Sequence, residues 1–209
     1  MISGFDFIFS VAVLIMSVVV HEVSHGYVAY RLGDMTAKYA GRLTLNPLKH
    51  LDFLGSFIVP AVTYLIGGFI FGWAKPVPYN PYNLRNQKWG PAMVALGGPA
   101  ANLLIALVFG LFVRLTLHSS WMVLPPAFIQ IVTMIVFINI LLAVFNLVPI
   151  SPLDGSKVLF ALMPYRWQHI TVFLEQYGMF LLLLFIFFFW SLIMPVVFFI
   201  FRLLTGMGI

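Results

Sequence analysis

Charged residues make up only 8% of this 209-residue chain, against about 25% in an average soluble domain. That deficit excludes an ordinary water-soluble globule. There is no cysteine, which excludes disulfides and thiolate-held zinc or haem. Asp and Glu together number six, so any chemistry that needs carboxylates has few to draw on. The net charge of +5 comes from Lys and Arg scattered through the connections, with no run or stripe, which speaks against a nucleic-acid partner. What is present is apolar: 62% hydrophobic residues, 22 Phe and a mean hydropathy of +1.05. Polar groups fall in short interruptions between long apolar stretches. The expected fold is therefore an all-α polytopic protein of the lipid bilayer.

Apolar segments run from about Phe5 to Tyr30, Phe53 to Trp73, Pro91 to Leu117, Pro126 to Val148 and Ile170 to Leu204. That makes five to six transmembrane or re-entrant helical segments. The first, third and fourth each suit one crossing. The last is one tilted helix or two short ones, with Ser191 and Pro195 marking a break. Pro60 and Gly67-Gly68 interrupt the second, which favours a re-entrant hairpin over a crossing. With that hairpin, Arg31, Lys38, Arg42, Lys49, Lys75, Arg85, Lys88, Lys157 and Arg166 all lie in cytosolic connections, and the N-terminus lies outside. The opening residues lack a basic stretch and a cleavage site, so the first segment reads as a retained span. Residues 36–48 alternate enough for one or two short strands, and the Pro- and Asn-rich residues 75–90 read as loop. Phe185 to Phe189 read as lipid-facing surface.

His21-Glu22-Val23-Ser24-His25 stands out. It follows an apolar run from Phe7 to Val20 broken only by Ser10 and Ser17, so a continuing helix carries it at or below the membrane surface. Two imidazoles and a carboxylate are costly there unless something binds them. On a helix, H-E-x-x-H places both imidazoles on one face, ready to chelate zinc. The neighbouring carboxylate can then take a proton from an attacking water. With the first helix starting near Phe5, His21 lies roughly 24 Å along it, on the cytosolic side of the bilayer.

A zinc hydrolase needs a third protein ligand. Asp6 is at the far end of the first segment, Asp34 in a loop, Asp52 at the start of the second segment and Glu175 in the last. Asp154 remains, in Asn146-Leu-Val-Pro149-Ile-Ser-Pro152-Leu153-Asp154-Gly155. Two prolines interrupt the helix there, and on the topology above this carboxylate emerges on the same side as His21 and His25. His50 and Asp52 are the competing ligands, read instead as interfacial residues capping the next segment. His118 and His169 lie at segment ends and take no role. Asn102 and Asn139 read as hydrogen-bonding glue between helices.

H-E-x-x-H at 21–25, paired with Asn146-x-x-Pro149-x-x-Pro152-Leu153-Asp154-Gly155, resembles the site-2 protease family of intramembrane zinc metalloproteases. Gly98-Pro99-x-x-Asn102 is similar to that family too. The resemblance covers roughly residues 5–165 and is to a compact form without PDZ or CBS domains. It implies one zinc per chain, held by His21, His25 and Asp154, with Glu22 as general base. Asn146 would stabilise the oxyanion or position substrate, with interhelical hydrogen bonding as the equal alternative. The implied partners are a transmembrane protein or peptide substrate and the lipid bilayer. The implied setting is a prokaryotic cell membrane, with the site toward the cytosol. On this reading residues 1–209 form a single integral-membrane domain with a core at about 5–165 and C-terminal hydrophobic segments at about 167–205. Short strands near 40–48 could pair with an unwound substrate by β-addition. The rival is a metal-binding transporter or channel without proteolytic activity. Against it, the acids are few and no inverted repeat is evident.

Overall fold

A helix that crosses the hydrocarbon core needs about 20 apolar residues. In the computed structural model, which describes residues 4–59, 62, 65, 74–118 and 124–207, four helices satisfy this over Phe9–Arg31, Gly90–Leu117, Pro126–Asn146 and Gly178–Thr205. They belong to α1 (Gly4–Arg31), α3 (Gly90–His118), α4 (Pro126–Asn146) and α7 (Gly178–Thr205). Shorter helices complete the order: α2 (Thr36–Tyr39), α5 (Asp154–Leu162) and α6 (Gln168–Gln176). The chain is thus an all-α polytopic membrane protein. α3 is central and packs on α1, α4, α5 and α7, while α4 also touches α1 and α7. Ala106, Val136, Ile140, Ile193, Val197 and Phe201 fill the space between α3, α4 and α7. Leu104, Leu115, Phe187, Phe188 and Phe199 are exposed on the outside of the bundle, the surface that a membrane-spanning helix turns to lipid.

α1 ends in a Schellman motif. Gly33 takes φ of 109°, its N–H donates to Tyr30 O, and Asp34 N–H donates to Ala29 O. Asp34 then anchors the loops. Its carboxylate accepts from Thr36 N at 3.1 Å, Thr36 Oγ1 at 2.6 Å, Asn80 N at 2.7 Å and Asn83 Nδ2 at 3.0 Å. Burial pushes this carboxyl up, but those hydrogen bonds outweigh burial and hold it below the ordinary carboxylate range. The expectation of strands in 36–48 is corrected. A helical turn runs over Thr36–Tyr39, with Thr36 held by Asp34, and Asn46 Oδ1 accepts from Leu48 N to open a 3₁₀ turn at Pro47–Lys49. Among the described residues no strand forms there.

Two other expectations are sharpened. The second apolar segment, 53–73, lies largely outside the described residues, but its flanks are adjacent: Lys75 N donates to His50 O at 2.9 Å. The choice between a hairpin and a crossing falls on residues outside the described ones. In the last segment no break occurs at Ser191 or Pro195, and α7 runs through both. An interior proline is tolerated there because unwinding would present far more unpaired backbone to lipid. The break falls earlier, at Tyr177, between α6 and α7.

Candidate metal centre

Residues four apart on a helix lie one above the other, and α1 places His21 and His25 so, with rings edge to face and centroids 4.6 Å apart. α3 crosses against them at Gly98, where a Cβ would sit 2.5 Å from His25 Nε2 and 2.6 Å from His21 Nε2. Only glycine lets that backbone approach so closely. The third group arrives from the loop after α4. Pro149 and Pro152 deny that loop helical hydrogen bonds, and α5 begins with Asp154 in its first turn, where the helix dipole favours a carboxylate.

His21 Nδ1 lies 2.6 Å from Asn102 Oδ1, an oxygen that can only accept, so Nδ1 carries the hydrogen. Asn102 Nδ2 donates to Asn139 Oδ1 at 2.7 Å and to Ser17 O at 3.2 Å. Asn139 Nδ2 in turn donates to Ser17 Oγ at 2.9 Å and Ile135 O at 2.8 Å. These amide orientations follow from the network. Ser17, His21, Asn102 and Asn139 are all buried, and the satisfied chain fixes one tautomer of His21.

His25 Nδ1 lies 2.7 Å from Val94 O and 3.3 Å from Gly98 N. One nitrogen cannot donate and accept at once. The shorter contact is to a carbonyl, which requires a donor, so Nδ1–H belongs to Val94 O and the Gly98 contact is not a hydrogen bond. With Nδ1–H of each ring committed to those acceptors, Nε2 is the atom each histidine turns to the site. The two Nε2 atoms face Asp154 Oδ2 at 3.1 Å from His21 and 3.3 Å from His25. Asp154 Oδ2 is buried and receives no hydrogen bond.

Three lone-pair atoms in mutual contact repel one another unless a positive charge lies among them. His21, His25 and Asp154 form a group that could hold a metal ion, with ligand atoms within 4.8 Å of one another. Two imidazoles and a carboxylate are the donor set of a catalytic zinc, whose bonds of about 2.0–2.2 Å put tetrahedral ligand atoms about 3.3 Å apart. The residues fit the ion. The only other occupant of that space would be a proton shared with Asp154.

Glu22 is placed by a contact that sequence reasoning missed: its Oε2 accepts from Val77 N at 2.9 Å. Asn102, expected as glue between helices, also bonds an imidazole of the site. The polar Ser17 in an apolar run and Gly98-Pro99-x-x-Asn102 were the available signals. The remaining candidates lie elsewhere. Asn146, at the end of α4, donates its amide to Leu142 O within its own helix. Asp52 Oδ2 accepts from Gly55 N at 2.8 Å, the expected cap. His50 corrects its interfacial expectation: it is 1% exposed, and Nε2 meets Thr44 O at 2.8 Å, because the returning chain at Lys75 covers it. His169 is exposed on α6, and the side chain of His118 lies outside the described residues. Glu175 pairs with Lys157 at 2.7 Å.

Comparison with known proteins places the chain in a family. The profile of peptidase family M50 matches residues 118–189, a stretch that includes Asn146 to Asp154. The chain is 38% identical over 172 residues to a Bacillus subtilis protein provisionally named zinc metalloprotease YwhC, covering 80% of this chain and 75% of that one. It is 33% identical over 153 residues to a Mycolicibacterium smegmatis protein provisionally named zinc metalloprotease Rip2, covering 73% of this chain and 56% of the relative. A Methanocaldococcus jannaschii protein, provisionally named zinc metalloprotease MJ0611, is 30% identical over 162 residues, covering 72% of each chain. No solved structure matches.

Proposed function

Because this chain belongs to peptidase family M50, the site-2 protease family, we propose that it is a zinc metalloendopeptidase that cuts transmembrane segments of other membrane proteins. The observation that carries this is the meeting of two Nε2 atoms and a buried carboxylate oxygen inside a bundle of membrane-length helices. His21, His25 and Asp154 would hold one zinc, as in a catalytic site with three protein ligands. Zinc, when bound, polarises the scissile carbonyl and makes water a better nucleophile. Glu22 takes the water proton and returns it to the leaving amine. Asn102 and the Val94 carbonyl hold the two imidazoles in the tautomer that keeps Nε2 free. Asn146 is assigned no step. Residues 1–209 act as one integral-membrane domain.

The basic connections support a site that opens to the cytosol of a prokaryotic cell. Arg31, Arg42, Lys75, Arg85 and Lys157 gather at the end of the bundle where Asp154 enters. From there water can reach the zinc without crossing the bilayer. The test uses purified protein in liposomes and a fluorophore–quencher peptide containing one apolar span with a helix-breaking Gly-Pro pair. Cleavage is expected to stop when a chelator removes the metal and to return with about one equivalent of zinc. Absent or metal-independent cleavage would contradict this reading.

The network behind His21 gives a second expectation. Asn102→Ala leaves the three ligands in place but frees the imidazole to rotate and change tautomer. Zinc affinity should fall about 10–100-fold, read by competition with a chromophoric chelator. An unchanged affinity would reduce Asn102 to a helix-packing residue.

A further inference from the structure

Glu22 lies one residue past His21, about 100° around the helix from the face that carries the imidazoles. A long, flexible side chain in that position needs something to hold its carboxylate at the site. Val77 N–H, 2.9 Å from Oε2, is the one contact that does so among the described residues.

The segment around Val77 is built to deliver that single donor. In Lys75-Pro76-Val77-Pro78 both flanking residues are prolines, so Val77 carries the only backbone N–H of residues 76–78. Pro76 and Pro78 are exposed, whereas Val77 turns inward and is 6% exposed. Beneath it lies Gly26, where a Cβ would come within 2.9 Å of Val77 Cγ1, so α1 makes room for the strap one turn after Glu22. The strap is tied at both ends. Upstream, the buried Arg42 donates through Nη2 to Lys75 O at 2.7 Å, with Pro76 O at 3.4 Å, and Lys75 N donates to His50 O. Downstream, Asn80 N donates to Asp34 Oδ2 at 2.7 Å. The stiffness of the prolines removes most of the remaining freedom. A connection that only closed a loop would need none of this.

We propose that the Pro76-Val77-Pro78 strap is a positioning element, whose Val77 N–H fixes Oε2 of Glu22 and leaves Oε1 free for proton transfer. The inference rests on the protease reading above, and Val77 is a positioning residue that does not touch substrate in this role. Loss of the donor loosens the general base without removing a ligand, so it acts on kcat and spares zinc binding and KM.

The experiment compares wild type, Val77→Ala and Val77→Pro on the same labelled peptide in liposomes. Val77→Ala keeps the donor but trims the side chain seated over Gly26, so its kcat should fall at least about fivefold less than that of Val77→Pro. Val77→Pro removes the donor and should lower kcat about 10–100-fold, with KM within about threefold and one zinc per chain. If Val77→Pro does not accumulate in membranes, replacing Val77 with its α-hydroxy acid removes the N–H at nearly unchanged shape, and the same kcat loss is expected. Wild-type kcat in either donor-free protein overturns the proposal, as does an equal loss in Val77→Ala or a loss explained by missing zinc. Amide exchange at valine-labelled Val77 supplies a readout that needs no catalysis. Exchange should speed up at least about 10-fold in Glu22→Ala, and unchanged exchange overturns the proposal. A wild-type protein that cleaves nothing while this exchange effect persists would contradict the protease reading and leave the strap contact standing.

Discussion

Glu22→Gln should lower kcat by at least about 10³-fold, near the upper part of the range for general acid–base catalysis, while the protein keeps one zinc per chain. The substitution preserves length and shape. The introduced amide oxygen can still accept from Val77 N–H, so the strap stays seated. The amide cannot take a proton from water at neutral pH. Because Glu22 is not among the three converging ligands, zinc content, KM and thermal stability should stay near wild type. That combination separates a lost base from a damaged fold. Turnover by purified Glu22→Gln within about tenfold of wild type would remove Glu22 from the mechanism.

Asp154→Ala should lose turnover for a different reason. His21 and His25 alone give a two-ligand site, and zinc affinity is expected to drop by more than the 10–100-fold typical of losing an outer hydrogen-bond partner. The metal-free proteins offer a less obvious comparison. In wild type without metal, Asp154 Oδ2 is buried against Nε2 of His21 and His25, and desolvating a buried carboxylate offsets what such a pair contributes. Its removal also removes that desolvation cost, so metal-free Asp154→Ala should melt no lower than metal-free wild type. Wild type alone should then gain stability on adding zinc, by RT ln(1 + [L]/Kd). Thermal unfolding in detergent, with and without zinc, reads both effects. A metal-free variant that melts well below metal-free wild type would mean that Asp154 holds the fold and not the ion.

Much of this site could be read from residue types because its chemistry demands them. H-E-x-x-H at helical spacing brings two imidazoles to one face wherever it occurs, and with six acids in the chain the third ligand had few rivals. Asp154 was further marked by Pro149 and Pro152, which force the chain out of α4 and let a carboxylate turn back. The strap over Glu22 left no such trace. Val77 acts through its backbone, which every residue but proline shares, and its partner is 55 residues away. Asn102 was visible as a polar residue in an apolar helix, but spacing cannot say whether such an amide meets another helix or an imidazole. It does both. The strand expected in 36–48 failed because alternation alone ignores Asp34, whose side chain binds Thr36 at the start of the turn that replaces it. Of the two readings left open for the last segment, the one with a break at Pro195 was not taken, because in lipid ending a helix costs more than one missing hydrogen bond.

The central claim is that three proton-free ligand atoms meet on one zinc. Zinc K-edge X-ray absorption of the Glu22→Gln protein, loaded with one equivalent of zinc, tests it most directly. The account predicts a four- or five-coordinate nitrogen and oxygen shell at about 2.0–2.1 Å, with the outer scattering of two imidazoles, and loss of that imidazole signal in His21→Ala/His25→Ala. A six-coordinate, all-oxygen shell, or two-imidazole scattering unchanged by removing His21 and His25, would contradict it.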